Sequence, residues 1–314
     1  MIYIQDLHEG IRISQVFLCR QKVTGTTKTG RSYYSLKLQD KTGVLDAKVW
    51  ELSNSIEHFE ANDYILAEGD IQNYNNALQM NVRRIRRAKE GEYDQKEFLP
   101  ASQLAIEDMY GELMRLAGKI QNPYLKQLVD SFFVEDPAFI SAFKAHSAAK
   151  TVHHNFIGGL LQHTLRVSQL CYFYTLQYPM LNRDLLLATA MFHDIGKLRE
   201  LSDFPANDYT DEGQLIGHIV IGYEMVHDRI RAIQGFPKKL ETEVLHCILA
   251  HQGELEYGSP KKPSIIEALA LSYADDTDAK LEIMIEEFEG TASMDFLGVN
   301  RFLGTNIRKT SKEA

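Results

Sequence analysis

The spacing of apolar side chains changes once along this chain of 314 residues, and no single kind of element satisfies both spacings. Over the first ninety residues they alternate. In "YYSLKLQD", Tyr34, Leu36 and Leu38 fall on one face and Tyr33, Ser35 and Lys37 on the other. "GVLDAKVW" likewise sets Leu45, Ala47 and Val49 against Asp46, Lys48 and Trp50. A period of two is that of a strand with one buried face. Beyond "KEGEYDQKEFLP", residues 89–100, the spacing becomes helical and stays so: "QLAIEDMYGELMRLAGKI" gathers Leu104, Met109, Leu113 and Leu116 near one face. A strand-rich part is therefore joined by a polar, proline-ended linker to an all-helical part.

Further strands are expected at Ile11–Val23, Tyr64–Ile71 and Ala77–Ile85, punctuated by "DKTG" and "NYNN", with a short helix near Leu52–Phe59. Five short strands with a helix between the third and fourth is the order of an OB-fold β-barrel. In the second part, "EDPAFISAFKA" opens a helix with Asp136 as N-cap and Pro137 at the first helical position. Helices follow over 157–177, 183–195, 215–233, 238–250 and 263–287, and the polar end "RFLGTNIRKTSKEA" is expected to be loosely held. The expected organisation is a barrel over 1–88, a linker over 89–101, a helical domain over 102–290 and a tail over 291–314. No internal repeat or low-complexity tract interrupts it.

With 44% apolar and 25% charged residues, the chain has a core-forming composition. It has no apolar run of about 18 residues, the length of a membrane span, and "MIYIQDLHEG" does not read as a secretion signal. Cys19, Cys171 and Cys247 are far apart in apolar contexts, which suits structural thiols in a reducing compartment, so a cytoplasmic location is expected. The net charge of −9 argues against a polyanionic partner only until it is divided. Residues 1–90 hold 13 Lys and Arg against 11 Asp and Glu, and the remainder holds 21 against 32. The excess acid lies wholly in the helical part, leaving the barrel free to meet nucleic acid.

The most apolar helical run, "LLLATAMFHDIGKLRE" over 185–200, ends on His193 beside Asp194. Burying such groups without partners costs roughly 2–7 kcal/mol for each neutral group and more for a charge. A metal ion supplies the missing partner. Consecutive helix residues point about 100° apart, so an ion between the two directions is within reach of both. Lys197 projects near the same edge, and Gly196 permits a helix end or a close backbone approach. His163 in "GGLLQHTLRV", His218 in "GQLIGHIVIGYEMV", His251 in "HCILAHQGE" and Asp275 in "ALSYADDTDAK" also lie in or beside apolar helical segments. One such histidine is ordinary; several, with buried acids, point to a metal site. His246, a turn before His251, reads as structural, His153 and His154 as candidates for lining a pocket, and Asp276 and Asp278 as cap or surface acids.

His163, the pair His193-Asp194 and Asp275 resemble, in order, the H…HD…D ligand pattern of the HD-domain metal-dependent phosphohydrolases, with "HDIGK" a common form of its central motif. The resemblance covers roughly residues 145–290, and His218 and His251 look like the extra ligands of HD proteins that hold a second metal. Where some HD phosphodiesterases carry two adjacent histidines, this chain has His251-Gln252. With the barrel in front, and with "GGLLQHT" and "GSPKKP", nearly the whole chain resembles the YhaM family of bacterial 3′→5′ exoribonucleases. The resemblance implies an OB-fold followed by an all-α HD domain, and metal-dependent hydrolysis of single-stranded RNA, single-stranded DNA remaining open, to mononucleotides. Asp194 then bridges or anchors one or two divalent ions, the four histidines and Asp275 complete the set, and Lys197 contacts phosphate. Mixed imidazole and carboxylate suits manganese first, with cobalt, iron or zinc as alternatives, and is a poor set for magnesium alone.

Exposed aromatics interleaved with lysines suit single-stranded nucleic acid. Trp50 with Lys48, and Tyr33 with Lys37, share the outward face, while Lys22, Lys28 and Arg31 surround the first hairpin. Trp50 either stacks on a base or packs beneath the helix expected after it. "RRIRR", residues 83–87, is either a phosphate track or a solvated strand end. Two other readings stand beside the exonuclease: an HD hydrolase of a nucleotide or cyclic dinucleotide, and a non-enzymatic single-stranded DNA-binding protein. No membrane partner is expected, and the oligomeric state, a homo-oligomer included, is left open.

Overall fold

The computed structural model describes all residues except 28, 76, 100–103, 151–155, 290, 292 and 312–314. The chain divides into two compact units, Met1–Ala101 with Phe204–Ala206, and Ser102–Asp203 with Asn207–Ala314.

The first unit is a closed five-stranded barrel of β1 (Arg12–Thr26), β2 (Ser32–Asp40), β3 (Gly43–Val49), β4 (Tyr64–Tyr74) and β5 (Ala77–Arg87). The strand order around it is β1-β2-β3-β5-β4, with β3 and β5 parallel and the other pairs antiparallel. Strand β1 runs three residues beyond its expected end and pairs with both β2 and β4. The alternation holds: Leu36, Leu38, Leu45, Ala47 and Val49 point inward with Phe17, Ile65, Ile71, Met80 and Ile85. Closure of the barrel pairs each of its strands on both sides, which protects them from edge-to-edge association.

The expected helix near Leu52–Phe59 does not form. Ser53–Ile56 makes a turn in which the Ser53 hydroxyl accepts the Ser55 N–H, and Ile56 bridges Ile85. Phe59, fully buried, plugs the barrel. Serine and asparagine offer the backbone local hydrogen bonds that compete with a helix, and an extended segment delivers Ile56 and Phe59 to one core. The expected linker packs as well. Tyr93 stacks on Tyr64 with centroids 4.1 Å apart, Phe98 and Leu99 are buried, and Gln39 donates to the Phe98 carbonyl.

The second unit is helical: α1 (Ile106–Ala117), α2 (Pro123–Phe133), α3 (Pro137–Ala145), α4 (Gly159–Gln177), α5 (Arg183–Phe192), α6 (Lys197–Glu200), α7 (Asp211–Leu215), α8 (His218–Ala232), α9 (Lys238–Ala250) and α10 (Ile266–Glu289). Asp136 caps α3 as expected, accepting the Phe139 N–H. Leu104, expected on the apolar face of the first helix, lies ahead of α1 and is exposed, whereas Met109, Leu113 and Leu116 are buried. Helix α5 is the axis of the unit. Residues Leu185 to Phe192 are all buried, between an aromatic cluster that includes Phe132, Phe133, Phe139 and Phe143 and a second cluster with Cys247, Leu271 and Ala274. A helix hydrophobic all round belongs in the middle of a core, and whatever follows its last turn is delivered to the interior.

The C-terminal stretch is more ordered than expected. Val299–Asn300 pairs with Thr305–Asn306, the Asn300 side chain accepts the Phe302 and Leu303 N–H groups, and Ile307 is buried. All three cysteines are free and buried. Burial pushes the thiols of Cys19 and Cys247 up to about 11 and about 12, as befits packing residues. No helix among the described residues is long and apolar enough to cross a membrane.

Candidate functional site

Five elements converge on the end of α5. His193 is its C-cap and Asp194 follows; α4 supplies His163, the first residue of α8 is His218, the C-cap of α9 is His251, and α10 supplies Asp275. All six predicted ligands are thus brought together. His163, His193, Asp194 and His251 are almost wholly enclosed, and His218 is half-buried. Gly196 makes the convergence possible. A Cβ there would lie 2.6 Å from the Gly222 nitrogen and closer still to the His218 carbonyl oxygen, so only glycine admits the first turn of α8.

Asp194 is the hub. Its Oδ2 lies 3.4 Å from His163 Nε2 and 3.5 Å from His193 Nε2. Its Oδ1 lies 3.5 Å from His218 Nε2 and 3.7 Å from His251 Nε2. Asp275 Oδ1 joins the first pair, 3.1 Å from His163 Nε2 and 3.9 Å from His193 Nε2. Two groups able to hold an ion result, His163-His193-Asp194 and Asp194-His218-His251, with Asp194 common to both.

The outer nitrogens fix the rings. His193 and His251 donate Nδ1–H to the carbonyls of Ala190 (2.8 Å) and Ile248 (2.7 Å). His163 and His218 direct Nδ1 at the carboxylates of Asp278 (2.7 Å) and Glu200 (2.9 Å). All four Nε2 atoms are thereby turned toward Asp194, and those of His163 and His193 approach to 3.1 Å. Two ring lone pairs cannot face each other at that distance without a proton or cation between them. Among the described residues, the buried atoms Asp194 Oδ1 and His218 Nε2 have no hydrogen-bond partner. Such atoms call for an explanation, an ion being one, and imidazole nitrogens mixed with carboxylates form the donor set of a first-row transition ion.

Electrostatics agree with the geometry. Burial alone would lower the pKa of His163, but its bonds with Asp194, Asp275 and Asp278 outweigh burial and hold it well above the ordinary value. Burial lowers His193, and takes His251 down to about 4. Burial opposes ionisation of Asp194 and Asp275. The charge of Lys197 nonetheless holds Asp194 well below the usual carboxylate range, and the bond with His163 holds Asp275 at about 2. Lys197, in α6, places Nζ 2.6 Å from Asp194 Oδ2 and stays protonated because that carboxylate outweighs its burial.

The cluster opens into a cavity of about 310 Å³ whose outer wall includes Lys150, Tyr209, Gln252, Tyr257 and Ser272. Gln252, where some HD proteins have a second histidine, directs its amide nitrogen at His251 Nε2, 3.3 Å away. His246 stands apart, accepting the Ser264 N–H, and Asp276 pairs with Lys280. His153 and His154 lie outside the described residues. Asp278 corrects the expectation of a cap or surface acid: it is buried mid-helix against His163. Its signal was the three-residue spacing from Asp275, which puts both on one helical face. Glu200 was missed altogether.

On the barrel, the Tyr33 and Trp50 rings lie 4.9 Å apart at a tilt of 32°, with Trp50 exposed and no helix among the described residues covering it. Lys48 donates to Ser35 and sits 5.5 Å from the Tyr33 ring centre. Beside Trp50 lies a cleft of about 350 Å³ lined by Ser53, Asn81 and Arg83. Arg31 is exposed, Lys37 pairs with Asp46, and Lys28 lies outside the described residues. Lys22 is turned inward, donating to the Phe59 carbonyl and lying over the Tyr34 and Phe59 rings. In "RRIRR", Arg83, Arg86 and Arg87 pair with Asp70, Glu92 and Asp63, which leaves Arg84 without an acidic partner among the described residues.

Comparison with known proteins meets this geometry at both ends of the chain. Residues 160–280, which span His163 to Asp275, match the HD domain family, and residues 19–88 match the OB-fold nucleic acid binding domain family. The second OB-fold domain of replication protein A from Methanococcus maripaludis is 17% identical, with coverage of 28% of this chain and 94% of that one and a TM-score of 0.23. The 3′-5′ exoribonuclease YhaM of Geobacillus sp. (strain WCH70) is 34% identical over 284 residues, 89% of this chain and 86% of the relative. With an OB-fold barrel ahead of an HD domain, and a 34% identical relative aligned over 89% of this chain and 86% of its own length, the chain belongs to the YhaM family.

Proposed function

We propose that this protein is a cytoplasmic, metal-dependent 3′→5′ exoribonuclease that removes mononucleotides from single-stranded RNA, single-stranded DNA being a secondary substrate. The observation that carries the reading is the division of Asp194: each carboxylate oxygen faces its own pair of histidine Nε2 atoms, and His163, His218 and His251 of those pairs line a cavity. His163, His193 and Asp275 would hold one ion and His218 and His251 the other, with Asp194 shared. Divalent ions held there would activate water for in-line attack and offset the charge that builds on the phosphoryl group. Manganese or cobalt suits the imidazole-rich set better than magnesium.

The chain's own groups supply the rest. Lys197, protonated and facing the cavity, provides a fixed positive charge for the phosphate. Lys150 adds a second cation at the wall, and the rings of Tyr209 and Tyr257, both exposed, offer flat faces to a base. A volume of about 310 Å³ lies at the small end of the roughly 300–1,000 Å³ of ligand sites. That suits one terminal nucleotide. On the barrel, Tyr33, Lys48 and Trp50 form the stacking face for the rest of the strand, with Arg31 beside the first hairpin; Lys22 supports that face from within.

The test is a single-stranded RNA labelled at either end, incubated with metal-stripped protein and a panel of divalent ions. Stepwise shortening of the 5′-labelled strand, immediate release of labelled mononucleotide from the 3′-labelled strand, and stronger support by manganese or cobalt than by magnesium are expected. Internal cuts, or hydrolysis of free nucleotides with no action on a strand, would overturn the reading.

A further inference from the structure

The two halves of the centre are built alike in one respect that their ligands do not require. In each, one histidine is backed by a main-chain carbonyl and the other by a carboxylate. The carbonyls of Ala190 and Ile248 come from three residues earlier in the chain and follow from helix geometry alone. The carboxylates do not. Asp278 meets His163 across 115 residues of sequence, and Glu200 meets His218 across 18. Both are buried, and burial of an acid has to be offset. Asp278 lies 3.8 Å from the Arg166 guanidinium, which also pairs with Glu282. Glu200 accepts the His218 N–H as well as its ring. A Cβ on Gly213 would sit 2.9 Å from the Glu200 Cα, so α7 closes tightly over the residue.

We propose that Asp278 and Glu200 are positioning residues, each governing one ion: Asp278 the ion of the His163-His193 half, Glu200 the ion of the His218-His251 half. Neither carboxylate belongs to the two groups of candidate ligands; each acts through the histidine it holds. A carboxylate that accepts Nδ1–H fixes the tautomer and ring angle and makes Nε2 a stronger donor, and loss of such a partner typically costs 10–100-fold in metal affinity. Pairing one carboxylate-backed with one carbonyl-backed imidazole in each half gives both ions one strong nitrogen donor. The inference rests on the two-ion reading above.

The experiment is a manganese titration of the metal-stripped full-length chain, read by equilibrium dialysis with metal analysis. It compares wild type, Glu200→Gln and Asp278→Asn, each alone and in a His251→Ala background. Wild type is expected to take up two ions. Each single variant should weaken one of them by about 10–100-fold and leave the other unchanged. With His251 removed, Glu200→Gln should add little, because its half is already broken, whereas Asp278→Asn should still weaken the remaining ion. A second measurement does not depend on how well the variants fold. In the zinc-loaded wild-type chain, two imidazole Nδ1–H resonances should lie downfield of the carbonyl-bonded pair, one assigned to His163 and one to His218. Uptake of two ions with unaltered affinity in both variants would overturn the positioning roles and leave the centre standing. Loss of the same ion in both variants, or Nδ1–H resonances that do not divide in this way, would overturn the assignment to separate halves. No uptake by wild type would overturn the centre itself.

Discussion

Gly196→Ala separates local propensity from tertiary packing. Gly196 is in ordinary right-handed backbone (φ −62°, ψ −21°) at the entry to α6. Judged locally, alanine at such a position stabilises a protein by about 0.4–1 kcal/mol through the unfolded chain. The structure reverses the sign. The added Cβ would lie 2.6 Å from the Gly222 nitrogen and 2.8 Å from the His218 carbonyl carbon, where relaxed contacts need about 3.5 Å or more. These atoms are backbone and cannot rotate away, and the His218 carbonyl oxygen is closer still, so the start of α8 must retreat by at least about 1 Å. His218 moves with it, away from Asp194, from which its Nε2 stands 3.5 Å. A displacement of about 1 Å at a catalytic constellation costs about 10²-fold in rate, and misplacing one ligand should weaken the ion of that half. Thermal unfolding with and without chelator, manganese binding and turnover on a short single-stranded RNA test this. The expected result is a loss of stability, a weakened ion and about 10²-fold slower turnover. Unchanged or raised stability with normal metal content would refute the account of Gly196 as the joint between the end of α5 and the start of α8.

His193→Ala and Asp194→Asn should abolish measurable turnover and release metal while leaving RNA binding by the barrel intact, as read by metal analysis and an oligonucleotide titration. Metal binding should release protons and tighten as pH rises. The pKa of His163 is held above its ordinary value in the metal-free chain, so its proton must leave before Nε2 can ligate. Calorimetry in buffers of different ionisation enthalpy reads that release, and an affinity flat between pH 6 and 8 would contradict it. The same shift gives His163 a stabilising share in the metal-free fold that is full below the unfolded-state pKa and is lost as pH climbs through the raised folded one. Trp50→Ala should weaken single-stranded RNA binding by about 1–3 kcal/mol with little change in the salt slope, because stacking carries no charge. Lys48→Gln should instead flatten that slope by up to about 0.7.

Much of this molecule was legible in its sequence because the relevant physics is local. A period of two gives strands and a period of 3.6 gives helices, so the change near residue 90 announced a barrel followed by a helical unit. Ligand chemistry restricts residue type just as tightly: histidines and aspartates in apolar helices demand partners, and all six predicted ligands do converge. What the sequence could not supply was decided by approach across space. Glu200 and Asp278 look like any helix acids until α8 and α4 bring histidines to them. Lys22 reads in sequence as a cation beside the first hairpin, free for nucleic acid, yet Phe59 and its carbonyl hold it against the barrel. The helix expected at Leu52–Phe59 gave way to an extended turn because two side chains were needed in one core. The division of Asp194 between two histidine pairs depends on how four separate helices, α4, α5, α8 and α9, are placed around it. Local rules assign residue types and periods, but a carboxylate's two oxygens acquire different partners only when distant backbones are fixed to within an ångström, and that distance is set by packing at positions such as Gly196.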